Sequence, residues 1–402
     1  MLKLLSLFSG IGGFEKALNN LEVLYELVNF CEIDKYAVKS YCAIHGVDES
    51  KNLGDITHVD EKVIDRDIDI LTYGFPCQDI SISGQQKGLF NSDGTLTRSG
   101  LFFEALRIIE HTQPKIAIAE NVKNLVGKKF NAQFQVVLAS LESAGYNNYW
   151  KVLNSKDFGV PQNRERVFIV SIRKDIDTGK FEFPEPYPLE KRLKDVLEDV
   201  VDEKYYLSEK ALVGLVTRYS DNPKKRFKFR TGEDIVATVD SGVGIKANIN
   251  FIIEEPTIMQ IGQMYPNSGN PQAGRIYDAD GISPSLDTCS GGNRMPKVAV
   301  AMRGRLNGHG KWHQEVEVSD REYANAITTV QKDSLIADGE RIRKLTPKEC
   351  FRLMGFDDES FHKAEAVNSN TQLYKQAGNS IVVDVLEELF CMMLDENGHL
   401  YV

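Results

Sequence analysis

From residue 2 to about residue 174, short apolar runs alternate with segments of helical periodicity. This alternation constrains the fold most, because strands that alternate with helices form a parallel sheet covered by helices on both faces. The predicted strands are Lys3–Ser9, Leu24–Cys31, Ile68–Tyr73, Lys115–Ala119, Tyr149–Leu153 and Arg166–Ile172. The predicted helices are Gly12–Leu21, Lys35–His45, Gly100–His111 and Ala132–Ala144. The sequence therefore predicts an α/β fold with a doubly wound, Rossmann-like sheet.

A proline-rich segment ends this pattern. Residues 181–188 carry prolines at 184, 186 and 188, which neither a helix nor a central strand can accommodate. From about 215 to 335, glycine, asparagine, serine and short β-type runs dominate, and helical character returns near Thr346, a predicted N-cap followed by Pro347. We predict a first domain over 1–186, an inserted, irregular, β-rich domain over 187–335, and a segment over 336–402 that returns to complete the first domain.

One cysteine differs from the others by its place in this pattern. Cys77 lies in Gly74-Phe75-Pro76-Cys77-Gln78, directly after the strand Ile68–Tyr73, at the sheet edge where open α/β folds bind ligands. Pro76 fixes the backbone just before the thiol. Cys77 is therefore a candidate nucleophile, whereas an isolated cysteine is usually a small buried apolar residue. That ordinary role is assigned to Cys31, Cys42, Cys289, Cys350 and Cys391.

Two other strand ends carry signals of a nucleotide-like ligand. The glycine turn Phe8–Phe14 joins the first strand to the first helix and permits close approach of a ligand to backbone N–H groups. Its spacing is not G-x-G-x-x-G, so a purely structural turn is the alternative. Glu32 ends the second strand, where doubly wound folds bind a ribose. Asp55 is either an acceptor for an adenine amino group or a turn aspartate.

An acid and two arginines are expected near Cys77. Glu120 follows the strand Lys115–Ala119 and should share the sheet edge with Cys77. A carboxylic acid with a raised pKa can protonate a substrate while a thiol attacks it. Arg164 and Arg166 flank the start of the last strand, where guanidinium groups bind a phosphate or a carbonyl oxygen. If Glu120 is instead a buried structural residue, one of these arginines is a candidate partner for it. A surface ion pair is an equal alternative for the arginines.

In their order along the chain, these motifs resemble those of the bacterial and phage DNA (cytosine-5) methyltransferases. The matching segments are Phe8–Phe14, Glu32, Asp55, Pro76-Cys77-Gln78, Glu120-Asn121-Val122, Gln162–Arg166, Arg343–Phe356 and Gln376-Ala377-Gly378-Asn379-Ser380. The span Phe30–Gly46 also resembles the Bacillus-phage branch of that family. The resemblance implies a DNA-methylating enzyme of the cytoplasm that serves restriction-modification or phage self-protection.

The resemblance implies S-adenosylmethionine as cofactor, S-adenosylhomocysteine as product, and no metal. Glu32 would bind the ribose hydroxyls, and Asp55 with Ile56 would frame the adenine. At Ile33 the family often has an aromatic residue, so apolar contact would replace stacking. The implied cofactor-binding residues are Phe8, Gly10, Gly12, Glu32, Ile33, Asp55, Ile56, Pro76, Leu101 and Asn379.

The resemblance also implies covalent catalysis on a flipped base. Cytosine C5 is a poor nucleophile, but addition of the Cys77 thiolate at C6 gives an enamine that accepts a methyl group at C5. Glu120 would hold or protonate N3, Arg166 would contact O2, and Arg164 would orient its neighbours. The base that removes the C5 proton is not identified by the sequence, and water is a candidate.

DNA contacts are expected from a loop and from the inserted domain. The target cytosine must leave the duplex, and the glycine- and serine-rich loop 79–99 is predicted to close over it, with Ser81 and Lys87 contacting phosphate. The segment 187–335 would be the target-recognition domain. Arg, Lys, Asn and Gln read base edges most readily. The candidate base-reading residues are Gln272, Arg275, Asn293, Arg294, Arg303 and Arg305.

Composition bounds the remaining properties. A net charge of −10 argues against non-specific adhesion to nucleic acid over the whole surface, so DNA contacts would be local. No apolar run reaches the roughly 20 residues of a membrane span. The 6 cysteines include no C-x-x-C pair, which indicates neither a zinc site nor a disulfide framework and suits a reducing cytosol. We expect a monomer acting on double-stranded DNA, with any cognate restriction endonuclease acting separately.

Three other functions are weighed against this prediction. An RNA cytosine methyltransferase of the same fold would carry a different triplet at Glu120-Asn121-Val122 and lack a long insertion. A protein that only binds DNA would not need the intact set Cys77, Glu120, Arg164 and Arg166. An NAD-dependent oxidoreductase would need a different glycine spacing.

Overall fold

The computed structural model describes two compact units. It covers residues 1–77, 79–80, 87–205 and 345–402, and between 205 and 345 only the backbone of short strands. The first unit comprises Met1–Val160, Arg164–Pro188 and Phe351–Val402, and the second comprises Pro161–Asn163 and Leu189–Cys350. The chain leaves the first unit two residues after the predicted boundary at 186, and it returns at Phe351 where the prediction was 336. The role of the second unit in target recognition stays a prediction.

A six-stranded sheet forms the centre of the first unit. Its strands are β1 (Leu2–Leu7), β2 (Tyr25–Cys31), β3 (Ile70–Tyr73), β4 (Ile116–Val122), β5 (Tyr146–Asn154) and β7 (Glu165–Arg173), and the two-residue β6 (Gln162–Asn163) belongs to the second unit. The spatial order is β2-β1-β3-β4-β7-β5. Neighbours among β2, β1, β3 and β4 pair in parallel, whereas β7 runs antiparallel to both β4 and β5.

The sequence predicted a parallel sheet. That prediction is wrong for the two pairings of β7, one with β4 and one with β5. The physical reason lies in the connection between β5 and β7. Residues 155–164 contain only the short 3-10 turn Ser155–Asp157 and the two residues of β6. A parallel return needs a crossover of about a dozen residues or more, usually a helix, so this link permits only an antiparallel pairing.

The central strands are apolar on both sides. All of β3 is buried, and Ile116, Ala117 and Ile118 of β4 are fully buried. Such continuous apolar runs are typical of strands that helices cover on both faces. The sheet is thus the core of the unit, and residues beyond the carboxyl ends of β1 to β4 lie where that core meets solvent.

The predicted helices of the first unit are present; the second has the predicted ends, and the ends of the others differ from the prediction by one or two residues. They are α1 (Gly13–Asn20), α2 (Lys35–His45), α3 (Phe102–Thr112) and α4 (Asn131–Ser143). The C-terminal part adds α5 (Pro347–Arg352), α6 (Asp358–Glu365), α7 (Asn370–Asn379) and α8 (Val383–Cys391). α8 packs on α1 through an edge-to-face contact of Phe14 and Phe390, with ring centroids 6.3 Å apart. The segment from Phe351 to Val402 belongs to the first unit.

Thr346 caps α5 as predicted. Its hydroxyl accepts from Glu349 N at 3.1 Å, and Glu349 Oε2 accepts from Thr346 N at 2.7 Å. This reciprocal pair is a capping box, which satisfies two backbone donors at the start of the helix.

Within the second unit, the backbone of short strands is described. They are β8 (Gln260–Gln263), β9 (Arg275–Tyr277), β10 (Ser283–Pro284), β11 (Lys297–Val298), β12 (Ala301–Leu306), β13 (Trp312–Glu317) and β14 (Arg343–Lys344). β12 and β13 form an antiparallel pair, and β14, β11, β9 and β8 form a four-stranded sheet. Arg275, Arg303 and Arg305 lie on these strands, while Gln272, Asn293 and Arg294 fall outside the described residues. In the part of the chain that the structure describes, no helix has the length and apolar character to cross a membrane.

Candidate active site

The candidate nucleophile lies in a tight turn at the carboxyl end of β3. Phe75 anchors this turn in the core, where its ring packs against Phe102 at a centroid distance of 5.6 Å. Ile80 N donates to Cys77 O at 3.0 Å and closes the turn. Cys77 itself is half-buried. Its position at the sheet edge agrees with the sequence prediction.

The charge environment of Cys77 pulls its pKa in opposite directions. Burial raises the pKa of the thiol above its ordinary value, and the Arg166 guanidinium opposes this shift. Glu120 raises the pKa further and Arg164 lowers it. Glu120 also lies near this turn by geometry, since Glu120 Oε2 is 3.8 Å from the position a Cβ on Gly74 would take.

Glu120 lies inside β4 and forms an ion pair with Arg166 of β7. Arg166 Nε is 2.9 Å from Glu120 Oε1, and the two side chains are 16% and 12% exposed. Burial raises the pKa of Glu120, whereas Arg166 and then Arg164 lower it. The predicted strand ended at Ala119, but β4 continues to Val122 because antiparallel pairing with β7 extends that far. Arg166 thus pairs with a largely buried acid and not on the surface.

Arg164 holds two backbone carbonyls of the C-terminal segment. Its side chain is buried, and Nη2 donates to Ser380 O at 2.7 Å and to Gly378 O at 3.1 Å. The start of β7 is thereby tied to the motif Gln376–Ser380 in the C-terminal segment. Asn379, an exposed residue at the end of α7, lies between the two carbonyls that Arg164 holds.

The glycine turn after β1 forms an open cradle. Phe8, Gly10 and Gly12 have φ values of 53°, 57° and 78°, in the left-handed region that favours glycine. Glu32 Oε2 accepts from Gly10 N at 2.9 Å, and Glu32 Oε1 accepts from Asp34 N at 2.7 Å. Burial raises the pKa of Glu32, and those two backbone donors oppose the shift. A Cβ on Gly10 would meet nothing within 4 Å, so there is open space beside the turn.

The other predicted cofactor-binding residues differ in their exposure and contacts. Ile33 is 72% exposed, which leaves a large apolar side chain free to contact a ligand. Asp55 caps the 3-10 turn Ile56–His58, with Oδ1 accepting from Thr57 N at 3.0 Å. That backbone donor lowers the pKa of Asp55. The capping contact fits a turn aspartate, and the adenine contact of Asp55 stays a prediction. Ile56 is buried, and Leu101 and Pro76 are half-buried.

The loop after Cys77 is described in part. Lys87 is exposed, and Ser81 falls outside the described residues. From residue 87 to residue 100 the backbone forms a hydrogen-bonded turn. Asp79 anchors it, because Gly88 N donates to Asp79 O at 2.7 Å and Arg98 N donates to Asp79 Oδ2 at 3.1 Å. The predicted phosphate contacts of Ser81 and Lys87 stay predictions.

Several residues that support the site were not predicted. Lys375 Nζ lies 2.6 Å from Asp34 Oδ2, and Gln376 Nε2 donates to Tyr36 O at 2.9 Å, so α7 is fixed to the start of α2. The motif Gln376–Ser380 pointed to this segment but not to those side chains. Asn121 was visible in the sequence as the neighbour of Glu120, but its hydrogen bond to Phe75 O could not be predicted. In the described residues, no group of three or more His, Cys, Asp or Glu side chains is arranged to hold a metal ion.

Comparison with known proteins gives a consistent assignment. Residues 2–394 match the family described as C-5 cytosine-specific DNA methylase. The chain is 37% identical to the orphan methyltransferase M.SPRI of Bacillus phage SPR, covering 97% of this chain and 96% of that protein. It is 33% identical to the type II methyltransferase M.HhaI of Haemophilus parahaemolyticus, covering 96% and 92%. The structure of S. pombe Dnmt2 methyltransferase superposes with a TM-score of 0.58 at 20% identity, covering 97% of each chain, and supports the fold alone.

Proposed function

The chain belongs to the C-5 cytosine-specific DNA methylase family, and on that premise we propose that Cys77 is the nucleophile that adds to C6 of a flipped cytosine. As a DNA (cytosine-5) methyltransferase, the enzyme must activate a ring carbon that is a poor nucleophile by itself. The observation that carries the proposal is the buried Glu120–Arg166 pair beside a half-buried thiol.

In the proposed reaction, a bond forms between the Cys77 sulfur and C6, and the electron pair of the C5–C6 double bond moves towards C5. Glu120 stabilises this change by donating a hydrogen bond or a proton to N3. The burial that raises the pKa of Glu120 favours the protonated acid needed for that donation. When bound, S-adenosylmethionine would supply the electrophilic methyl group, which leaves its sulfonium sulfur for C5, with S-adenosylhomocysteine as the leaving group. Loss of the C5 proton then restores the double bond and releases the cysteine.

The arginines have separate proposed roles. Arg166 lies against Glu120 and lowers the pKa of Cys77, so it favours the thiolate and orients the acid, and its guanidinium is proposed to contact O2 of the base. Arg164 is proposed to orient neighbouring groups. Its two hydrogen bonds to Gly378 O and Ser380 O support that role.

S-adenosylmethionine is proposed to bind over the glycine turn. The open space beside Gly10, the Glu32 carboxylate and the exposed Ile33 fit an adenosyl group, with Glu32 near the ribose and Ile33 against the face of the adenine ring. Glu32 Oε2 accepts from Gly10 N and Glu32 Oε1 from Asp34 N, which orients the carboxylate towards the proposed ribose position. The remaining proposed cofactor residues are Phe8, Gly12, Asp55, Ile56, Pro76, Leu101 and Asn379.

The biological setting is proposed from the relatives and the charge of the chain. The orphan phage methyltransferases among the relatives support protection of phage DNA, and the type II methyltransferases support restriction-modification. We propose a cytoplasmic monomer that acts on double-stranded DNA through the second unit and forms no stable complex with an endonuclease.

The test is methyl transfer by a Cys77→Ser variant. Incubation with tritiated S-adenosylmethionine should label duplex DNA, and not tRNA, in the unaltered enzyme. Cys77→Ser should abolish labelling and leave cofactor affinity unchanged, because the thiol is proposed to bond only with the base. Cys391→Ser is the matched control, since Cys391 is an exposed free cysteine on α8. Retained labelling by Cys77→Ser would refute the proposal.

A further inference from the structure

Two asparagines hold the turn that carries Cys77. Asn121 Nδ2 donates to Phe75 O at 3.0 Å, two residues before the cysteine. Asn124 Nδ2 donates to Ile80 O, three residues after it. Asn121 is 2% exposed, and its own Oδ1 accepts from Val122 N at 2.9 Å, which fixes the orientation of the amide. We propose that Asn121 and Asn124 are positioning residues that set the place of the Cys77 thiol relative to Glu120, an inference that rests on the function proposed above.

The geometry explains why side chains are needed here. β3 ends at Tyr73, so Phe75 and Ile80 lie outside the strand. Their carbonyls accept from the side chains of Asn121 and Asn124. A buried carbonyl without a donor costs free energy, so these two amides favour one position of Phe75 and one position of Ile80, on either side of Cys77.

The same short segment carries the acid and both asparagines. Successive residues of a strand point to opposite faces, so Glu120 and Asn121 leave β4 in different directions. Glu120 Oε2 lies 3.8 Å from the position a Cβ on Gly74 would take, and Asn121 binds Phe75 O in that same turn. Asn124 follows in the 3-10 turn Lys123–Val126. A displacement of this segment would therefore move acid and nucleophile together.

Positioning of this kind affects the chemical step more than binding. A misplacement of about 1 Å can slow a reaction by about 100-fold. We expect Asn121→Ala and Asn124→Asp each to slow single-turnover methyl transfer by about 10- to 100-fold. The second substitution keeps the shape of the side chain and removes the N–H donor. Affinities for DNA and S-adenosylmethionine should be unchanged, because neither asparagine is placed in a binding surface.

Alkylation of Cys77 by iodoacetamide gives a readout that a merely structural role would not move. Its rate, followed by mass spectrometry of the Cys77 peptide across a pH series, should change in both variants. Asn148→Ala is the matched control, since Asn148 Nδ2 donates to Leu138 O at 3.1 Å outside the site. This control should alter thermal stability alone.

The outcomes separate this inference from the proposed function. Wild-type rates of methyl transfer and alkylation in Asn124→Asp would overturn the positioning role, and so would an equal loss in Asn148→Ala. Asn124 is only partly buried, so its variant tests the inference even where Asn121→Ala does not fold. Activity in Cys77→Ser would instead overturn the proposed function.

Discussion

Replacing Arg166 with methionine tests the electrostatics of the site. The substitution keeps an apolar stem and removes the charge that lies 2.9 Å from Glu120 Oε1. Two unit charges about 4 Å apart attract by about 4 kcal/mol at an effective dielectric constant of about 20. Removing one partner of a buried pair costs about 3–5 kcal/mol, since the other charge stays buried. With both side chains slightly exposed, we expect Arg166→Met to lower the free energy of unfolding by about 3 kcal/mol at about pH 8.

The loss should depend on pH in a defined direction. Burial raises the pKa of Glu120, and Arg166 opposes that shift, so the pKa rises further when Arg166 is removed. A carboxyl group whose pKa is higher in the folded than in the unfolded state binds a proton more readily when folded. Folding is then favoured as pH falls from the folded-state pKa towards the unfolded-state pKa. The stability deficit of Arg166→Met should therefore shrink between about pH 8 and about pH 5.

Urea unfolding followed by tryptophan fluorescence measures this effect. Trp150 lies on β5 beside β7 and packs on Phe134 at a centroid distance of 5.1 Å, so it reports on this sheet. Lys123→Met is the control, because Lys123 and its partner Glu165 are 55% and 39% exposed. The control should lose no more than about 1 kcal/mol, with little pH dependence. Equal losses in both variants, or a deficit that grows at low pH, would refute the reasoning.

Two further predictions concern the glycine turn and the residues behind it. Gly12→Ala should unfold at a lower temperature than Gly10→Ala, because a Cβ on Gly12 would collide with the His45 ring, whereas a Cβ on Gly10 would meet nothing within 4 Å. Both glycines have a positive φ, so both variants share a backbone cost of about 1–2 kcal/mol. Equal melting temperatures would contradict the steric argument. Tyr41→Phe should lower the free energy of unfolding in urea by about 1–3 kcal/mol, because it removes the hydroxyl that donates to the buried Glu15 Oε1 at 2.8 Å. An unchanged free energy of unfolding would show that the Glu15 side chain needs no donor there.

The elements of the first unit were largely predictable from periodicity. Strands and helices from β1 to α4 occur where the apolar patterns placed them. The spacing of apolar residues indicates whether an element is a helix or a strand and whether one or both of its faces are buried. Strand direction was not predictable in that way, since a buried antiparallel strand has the same pattern as a parallel one. The short link between β5 and β7 was the available signal for their antiparallel pairing.

The residues of the site divide in the same manner. Cys77 and Glu32 were found because they stand at strand ends, where the fold itself exposes them. The sequence offered Arg164 and Arg166 together as possible partners of Glu120 without choosing between them, and the structure pairs Glu120 with Arg166. The two carbonyls held by Arg164 could not be found, because those contacts join segments far apart in sequence. The pair Asn121 and Asn124 illustrates the same limit, since a side chain that binds a backbone carbonyl leaves no pattern in the sequence.

Covalent trapping tests the central claim most directly. The target sequence is first read by methylation sequencing of DNA from cells that express the enzyme. Duplex DNA with 5-fluorocytosine at that target is then incubated with enzyme and S-adenosylmethionine, since fluorine at C5 prevents the final proton loss and holds the adduct. We predict a stable complex whose peptide map places the base on Cys77, and none with Cys77→Ser. A cross-link at another residue, or methyl transfer without any cross-link, would contradict the account.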